Sequence, residues 1–192
     1  YERDFDGKFL GTTQEFYRNE SSLFLAENSA SDYVLKAEAR LKEEKIRAAA
    51  LALPPTTETP LQHILEMELI DRHAKTLISL ENSGFAVLLK DASKTDEMKR
   101  MYGLFVRVPT SVDYLRDSLC ERVKADAKAL IEDQNRGDTS PSMFIKELLK
   151  LREKFTNIAE VAFDNESKVL KRLKESFEDV LNADSRTANC LA

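Results

Sequence analysis

The chain has 192 residues, 42% hydrophobic and 33% charged, with only 5 Gly and 5 Pro. That length can bury a real core in one or two domains, and so little turn material suits long amphipathic helices; composition alone indicates an all-α fold. The net charge of -5 is spread over mixed-sign segments, which excludes the basic footprint of a nucleic-acid binder. Charged residues interrupt every apolar run before it reaches membrane-spanning length, so no membrane partner is expected either.

The first helix is predicted over about Arg3 to Asn28. Phe9, Phe16 and Leu23 fall seven residues apart, with Phe5 and Thr12 on the intervening turns, and this spacing predicts one apolar seam. Ser29 and Asp32 have capping-box spacing and open a second helix that runs to Leu53, where Pro54-Pro55 ends it. Glu38 with Lys42, and Glu43 with Arg47, are four-residue pairs expected on its solvated face. Thr59-Pro60 reads as the next helix start, with Gln62 completing the cap and the helix reaching about Leu80. After Gly84, Phe85 to Leu89 read as one or two helical turns.

Thr95 and Asp96 open a helix carrying Met98, Met101, Tyr102, Phe105 and Val106, which stops before Pro109. Ser111 is read as the cap of a helix over about Val112 to Asp133, with the stripe Val112, Leu115, Leu119, Val123 and Leu130. Gln134 to Thr139, including Gly137, reads as a loop. Ser140-Pro141 opens a further helix whose Phe144, Leu148, Leu151, Phe155, Ile158 and Ala162 alternate four and three. A break is expected at Asp164-Asn165, after which Val169, Leu173, Phe177 and Val180 carry the last helix to about Asn182. Lys8-Phe9 and Asn19-Glu20-Ser21 recur at the spacing of Lys154-Phe155 and Asn165-Glu166-Ser167, with Tyr17 matched by Phe163; this echo suggests a repeat architecture.

Residues able to carry chemistry are few. His63 and His73 are the only histidines, and on one continuous helix their ten-residue separation would place them roughly 15 Å apart. A zinc site needs about four convergent ligands, so a surface or interfacial role for each is the expectation. Cys120 lies beside an apolar stripe and reads as a small core residue, and with Cys190 it reads as a reduced, unpaired thiol of a cytoplasmic or nuclear protein. Glu43-Glu44 and Glu66, Glu68 and Asp71 read as solvated helix faces rather than paired acid and base. Gly103, alone inside a helix, is read as the site of close approach by a packed helix, with a hinge as the other reading. Ala48 to Leu53 and Phe85 to Leu89 are the candidates for an exposed apolar patch. No phosphate loop or nucleophile motif is present, and no catalytic, cofactor-binding or metal-ligating residue is assigned. The opening Tyr1, in place of Met, leads us to expect a piece of a longer protein, so the want of a targeting signal says little about the parent.

Residues 15 to 33, Glu15-Phe16-Tyr17-Arg18-Asn19-Glu20-Ser21-Ser22-Leu23-Phe24-Leu25-Ala26-Glu27-Asn28-Ser29-Ala30-Ser31-Asp32-Tyr33, resemble the second repeat of a cullin. Further segments similar to the same family follow in order: Arg40 to Glu44, Glu81-Asn82-Ser83-Gly84, Leu88-Leu89-Lys90-Asp91, and Arg100 to Pro109. The resemblance extends along essentially the whole chain and is strongest to the cullins that work with BTB-domain adaptors. The alanine run near Ala48 and the aliphatic Val169 depart from the residues usual in that family.

The resemblance implies an elongated right-handed stack of helical repeats, with residues 1–108 most of one cullin repeat and residues 109–192 the first part of the next, truncated at its end. The tail Ser185-Arg186-Thr187-Ala188 would then match the cap at Ser29 to Asp32. The implied function is that of a non-catalytic scaffold segment of a cullin-RING E3 ubiquitin ligase, without cofactors, which spaces the substrate adaptor from the RING and conjugating-enzyme module. The implied partners of the parent are a BTB-domain adaptor, held by a first repeat not contained here, and a RING-box protein and ubiquitin-like modifier, held by a carboxy-terminal domain. No partner-contact residue can be carried over. The composition also suits a rod-like helical subunit of a vesicle-tethering complex.

Overall fold

A computed structural model of the chain describes residues 2–137 and 140–183. Its elements are α1 (Glu2–Glu27), α2 (Ala30–Ala50), α3 (Pro55–Leu69), a 3-10 turn at Asp71–His73, α4 (Ala74–Ser79), α5 (Phe85–Leu88), a 3-10 turn at Ala92–Lys94, α6 (Thr95–Phe105), α7 (Pro109–Arg136), α8 (Pro141–Ala162) and α9 (Ser167–Ala183). There is no strand among the described residues. The contacts divide into one unit of Tyr1–Val87 with Arg100–Tyr114, and another of Leu88–Lys99 with Leu115–Ala192.

In the first unit, α1 packs along α3 and touches α2, which also meets α3. Ser29 caps α2 as its motif predicts: its backbone is extended, and its hydroxyl oxygen accepts from the Asp32 N–H at 3.1 Å. The buried face of α1 is displaced by one residue from the seam read in the sequence. Tyr17, Ser21 and Leu25 are buried, whereas Phe16 and Leu23 are 53% and 68% exposed. One residue rotates a helix face by about 100°, and the polar groups Tyr17 and Ser21, which both find buried partners, decide which face turns inward.

α3 begins at Pro55 rather than at Thr59-Pro60, with extended Pro54 as its cap residue. Pro at the first helical position sacrifices a donor that would have no partner. Pro60 lies inside the helix, where its ring nitrogen leaves the Thr56 carbonyl unbonded within the ladder; Thr56 is exposed, so water can reach that group. The predicted continuous helix to Leu80 is interrupted at Ile70 and resumes as α4. No Gly or Pro marks this break. The Asp71 carboxylate there accepts from the Thr110 and Ser111 hydroxyls at 2.8 and 3.0 Å. Ser111 is thus occupied by Asp71, and α7 starts earlier, at Pro109.

Phe85 and Leu89 are fully buried, so the stretch between them is core and not an exposed patch. Of the other candidate patch, Ala48 is buried while Ala49 to Ala52 are exposed. Gly84 has a clear cause: a Cβ there would lie 2.6 Å from the Ile78 carbonyl oxygen and the Leu80 nitrogen.

In the second unit α8 packs on α9. Ser140 caps α8 by accepting from the Met143 N–H at 3.3 Å, with Pro141 following it. Phe144, Leu148, Phe155, Ile158 and Ala162 of the predicted seam are buried, as are Val169, Leu173, Phe177 and Val180 of α9. On α7 the stripe Val112, Leu115, Leu119 and Val123 is buried, but Ala127 and Ile131 continue it in place of Leu130. α7 extends through Gln134 to Arg136, which were expected in a loop, and Gly137 ends it at φ 79°. A left-handed residue just past a helix is glycine's natural place. Asp164 and Asn165 form the expected break, both at positive φ. That turn also undoes the internal echo, because Asn19 and Ser21 lie within the continuous α1 while Asn165 lies between helices. Cys190 and the tail Ser185 to Ala188 fall outside the described residues.

Candidate functional site

The densest set of side-chain interactions in the first unit lies where α1 meets α2 and α3. Glu68, on α3 and 2% exposed, receives Arg18 at 3.0 Å, Arg72 at 2.6 Å and Gln14 at 2.8 Å. Burial by itself would push its carboxyl up; the hydrogen bonds from Arg18, Arg72 and Gln14 outweigh that and bring it down to about 2. This residue read as part of a solvated face, and the structure makes it a buried hub.

One turn further along α1, the Ser21 hydroxyl lies 2.8 Å from Nε2 of His73, and the His73 ring stands edge-on to Tyr33 with centroids 5.4 Å apart. Tyr33 in turn donates to the Leu69 carbonyl at 2.8 Å. Burial, reinforced by the Arg72 charge, holds the His73 imidazole below its ordinary pKa and so neutral. A serine hydroxyl beside a histidine is the first half of a nucleophilic pair, but such a pair must face a space that a substrate can enter. Ser21 and His73 are 3% and 7% exposed. Their contact is therefore a packing hydrogen bond that fixes α1 against the break at Ile70.

On the α2 side the Tyr17 hydroxyl donates to Glu44 at 2.5 Å, and Arg47 holds the same carboxylate at 2.5 Å. Burial and then the Glu44 hydrogen bond raise the Tyr17 phenol well above its ordinary value. Glu20 binds Arg40, with Lys36 at 3.3 Å. Glu20 would be pushed up by burial, but its bonds to Arg40 and Lys36 keep its pKa below the usual carboxylate value. The pairs expected within α2 are replaced: Arg40 binds Glu43 at 2.6 Å and Glu38 faces Arg100 at 3.8 Å.

The motif segments that resemble one family meet one another here. Tyr17 and Glu20 of the first segment bind Glu44 and Arg40 of the second, and the backbone N–H of Ala30 donates to the Ser83 hydroxyl of the third at 2.9 Å. In the second unit, α7 is bound to α9 by Lys124 with Asp179 at 2.9 Å and Arg172 with Asp117 at 2.8 Å, and Arg116 binds Glu166 just before α9.

His63 is exposed on α3, while His73 is buried beyond the helix break, so they share no helix. Cys120 is half-buried, short of the core position expected of it, and unpaired. No grouping of three or more His, Cys, Asp or Glu among the described residues could hold a metal ion. A Cβ at Gly103 would meet nothing within 4 Å, so the packed helix expected there is not found among the described residues. What these groups can do is hold helices in fixed register through charged, directional bonds.

The family model of the cullin alpha solenoid domain matches residues 1–192. The chain belongs to the cullin family. Cullin-3A of Arabidopsis thaliana is 34% identical over 188 residues, 97% of this chain and 25% of that protein. Cullin-3 of Dictyostelium discoideum is 32% identical over 187 residues, and Cullin-1 of the same organism 30% over 188, each covering 97% of this chain and 24% of the relative. The cullin-3 relatives agree with the class that the motifs resemble. This cullin chain therefore spans about a quarter of the length of those proteins. Its fold is the family's all-α solenoid.

Proposed function

We propose that this segment is a non-catalytic spacer in the scaffold of a cullin-RING E3 ubiquitin ligase of the BTB-adaptor class. The parent protein would hold a BTB-domain adaptor through a repeat preceding this segment, and a RING-box protein and ubiquitin-like modifier through a carboxy-terminal domain. Residues 1–108 would be most of one repeat and residues 109–192 the beginning of the next. The observation that carries this reading is the family match over residues 1–192. It is supported by the use of buried charge at Glu68 and Glu44, which bind Arg18 and Tyr17 of α1, to fix helix against helix. A spacer works by setting effective concentration, which a flexible connection would dilute.

The test is insertion of a Gly/Ser linker at Gly137 in the full-length parent. Adaptor and RING-box binding should persist while ubiquitin transfer to an adaptor-bound substrate falls at least tenfold; unchanged transfer would refute the spacer role. Residues 1–192 alone should neither capture a BTB adaptor stably in a pull-down nor support transfer. We also propose a cytoplasmic or nuclear setting for the parent, to be checked by imaging a tagged full-length protein.

A further inference from the structure

Gly103 poses a question that the internal packing of its unit does not answer. Glycine inside an exposed helix weakens it relative to alanine. Close backbone approach normally explains such a residue, yet a Cβ at Gly103 meets nothing within 4 Å. Gly103 instead lines an open groove between α2 and the end of α6, with Leu41 and Leu104 as its floor and Lys42, Lys45 and Arg107 on its walls. The groove continues past Leu41, Lys45 and Arg107 toward Leu61 and Leu65 of α3.

The charge around the Gly103 end is one-sided. Lys42 and Lys45 are exposed and have no ion pair among the described residues. Arg107 reaches Glu66 at 3.4 Å, and the one carboxylate on the wall, Glu38, is faced by Arg100 at 3.8 Å. A narrow apolar floor, cationic walls and a missing side chain together describe a seat for a backbone that brings an aliphatic residue flanked by carboxylates.

We propose that this groove docks an acidic amphipathic helix from a partner protein, with a leucine-like side chain over Leu41 and Leu104 and its backbone against Gly103. The cations would draw its carboxylates, and the absent Cβ would let the two helices approach closely.

The test uses the 192-residue chain, isotopically labelled for amide NMR, and a capped 14-residue helical peptide of Glu and Leu. Saturable shifts should centre on Gly103, Leu104, Lys42 and Lys45, and a peptide with Lys in place of Glu should bind at least tenfold more weakly. Lys42→Glu together with Lys45→Glu should weaken binding at least tenfold. Gly103→Ala should raise the thermal midpoint yet weaken binding at least fivefold, a combination that damage to the fold cannot produce. Equal binding of the lysine peptide, undiminished binding by Gly103→Ala, or shifts centred elsewhere would overturn the proposal. So would Gly103 shifts that grow with protein concentration in the absence of peptide, which would assign the groove to self-association.

Discussion

Replacing Glu68 by Gln keeps the shape of the buried hub and removes its charge. The Glu68 carboxyl titrates at about 2 in the folded chain against an ordinary 4.5, and at 1.36 kcal/mol per unit that difference is worth about 3 kcal/mol. Arg18 and Arg72 are 47% and 41% exposed, so solvent screening brings the expected loss at pH 7 to about 2 kcal/mol. With a urea dependence of roughly 2 kcal/mol/M, the unfolding midpoint should fall by about 1 M. Because the folded pKa is depressed, the stabilisation is present above the unfolded value and is lost as pH falls from about 4.5 toward 2. At pH 3 more than half of it should be gone, leaving wild type less than about 1 kcal/mol more stable than Glu68→Gln. Urea melts at pH 7 and pH 3, with amide exchange over Leu69 to Ser79 as the local readout, would check this. A difference below about 0.5 kcal/mol at pH 7, or one of equal size at both pH values, would refute the assignment of Glu68 as a charged hub.

His73 is held neutral, so its contribution is present above the unfolded pKa of about 6.5 and declines as pH falls below it; His73→Gln, which still reaches Ser21, should flatten stability between pH 7 and pH 5 in thermal melts. Gly84→Ala should cost at least about 2 kcal/mol because its Cβ meets backbone at 2.6 Å, whereas Gly103→Ala should gain about 0.5 to 1 kcal/mol, and calorimetry of the two side by side would separate them. Phe155→Ala, at a fully buried position of the second unit, should cost about 3 to 5 kcal/mol, read from the urea midpoint of the chain.

Caps and periodicity carried much of the fold in readable form. Ser29 and Ser140 announce α2 and α8 because a hydroxyl three residues ahead of an N–H is a local device that needs no tertiary partner. The α8 and α9 seams are legible because apolar residues make up their buried faces with the single addition of Ser176 on α9. On α1 apolar spacing points to the wrong face, since Ser21 and Glu20 look like surface residues until their partners His73 and Arg40 arrive from distant positions. The break at Ile70 leaves no local signal, and the partners of the aspartate beside it, Thr110 and Ser111, lie about forty residues away. Glu68 illustrates the same limit for the candidate site: a carboxylate among charged neighbours reads as solvated, and only the approach of α1 makes it buried.

By itself, the amino-acid sequence determined that this protein is all-helical, where most helices begin, and to which family it belongs, since these rest on local spacing and on ordered motifs. The tertiary structure decided which face of α1 is inward, that α3 stops at Leu69, that Phe85 to Leu89 are core, and that Gly103 opens on a groove. Each of these turns on a partner far away in the chain, and a buried polar residue carries no mark of its partner in the residues beside it.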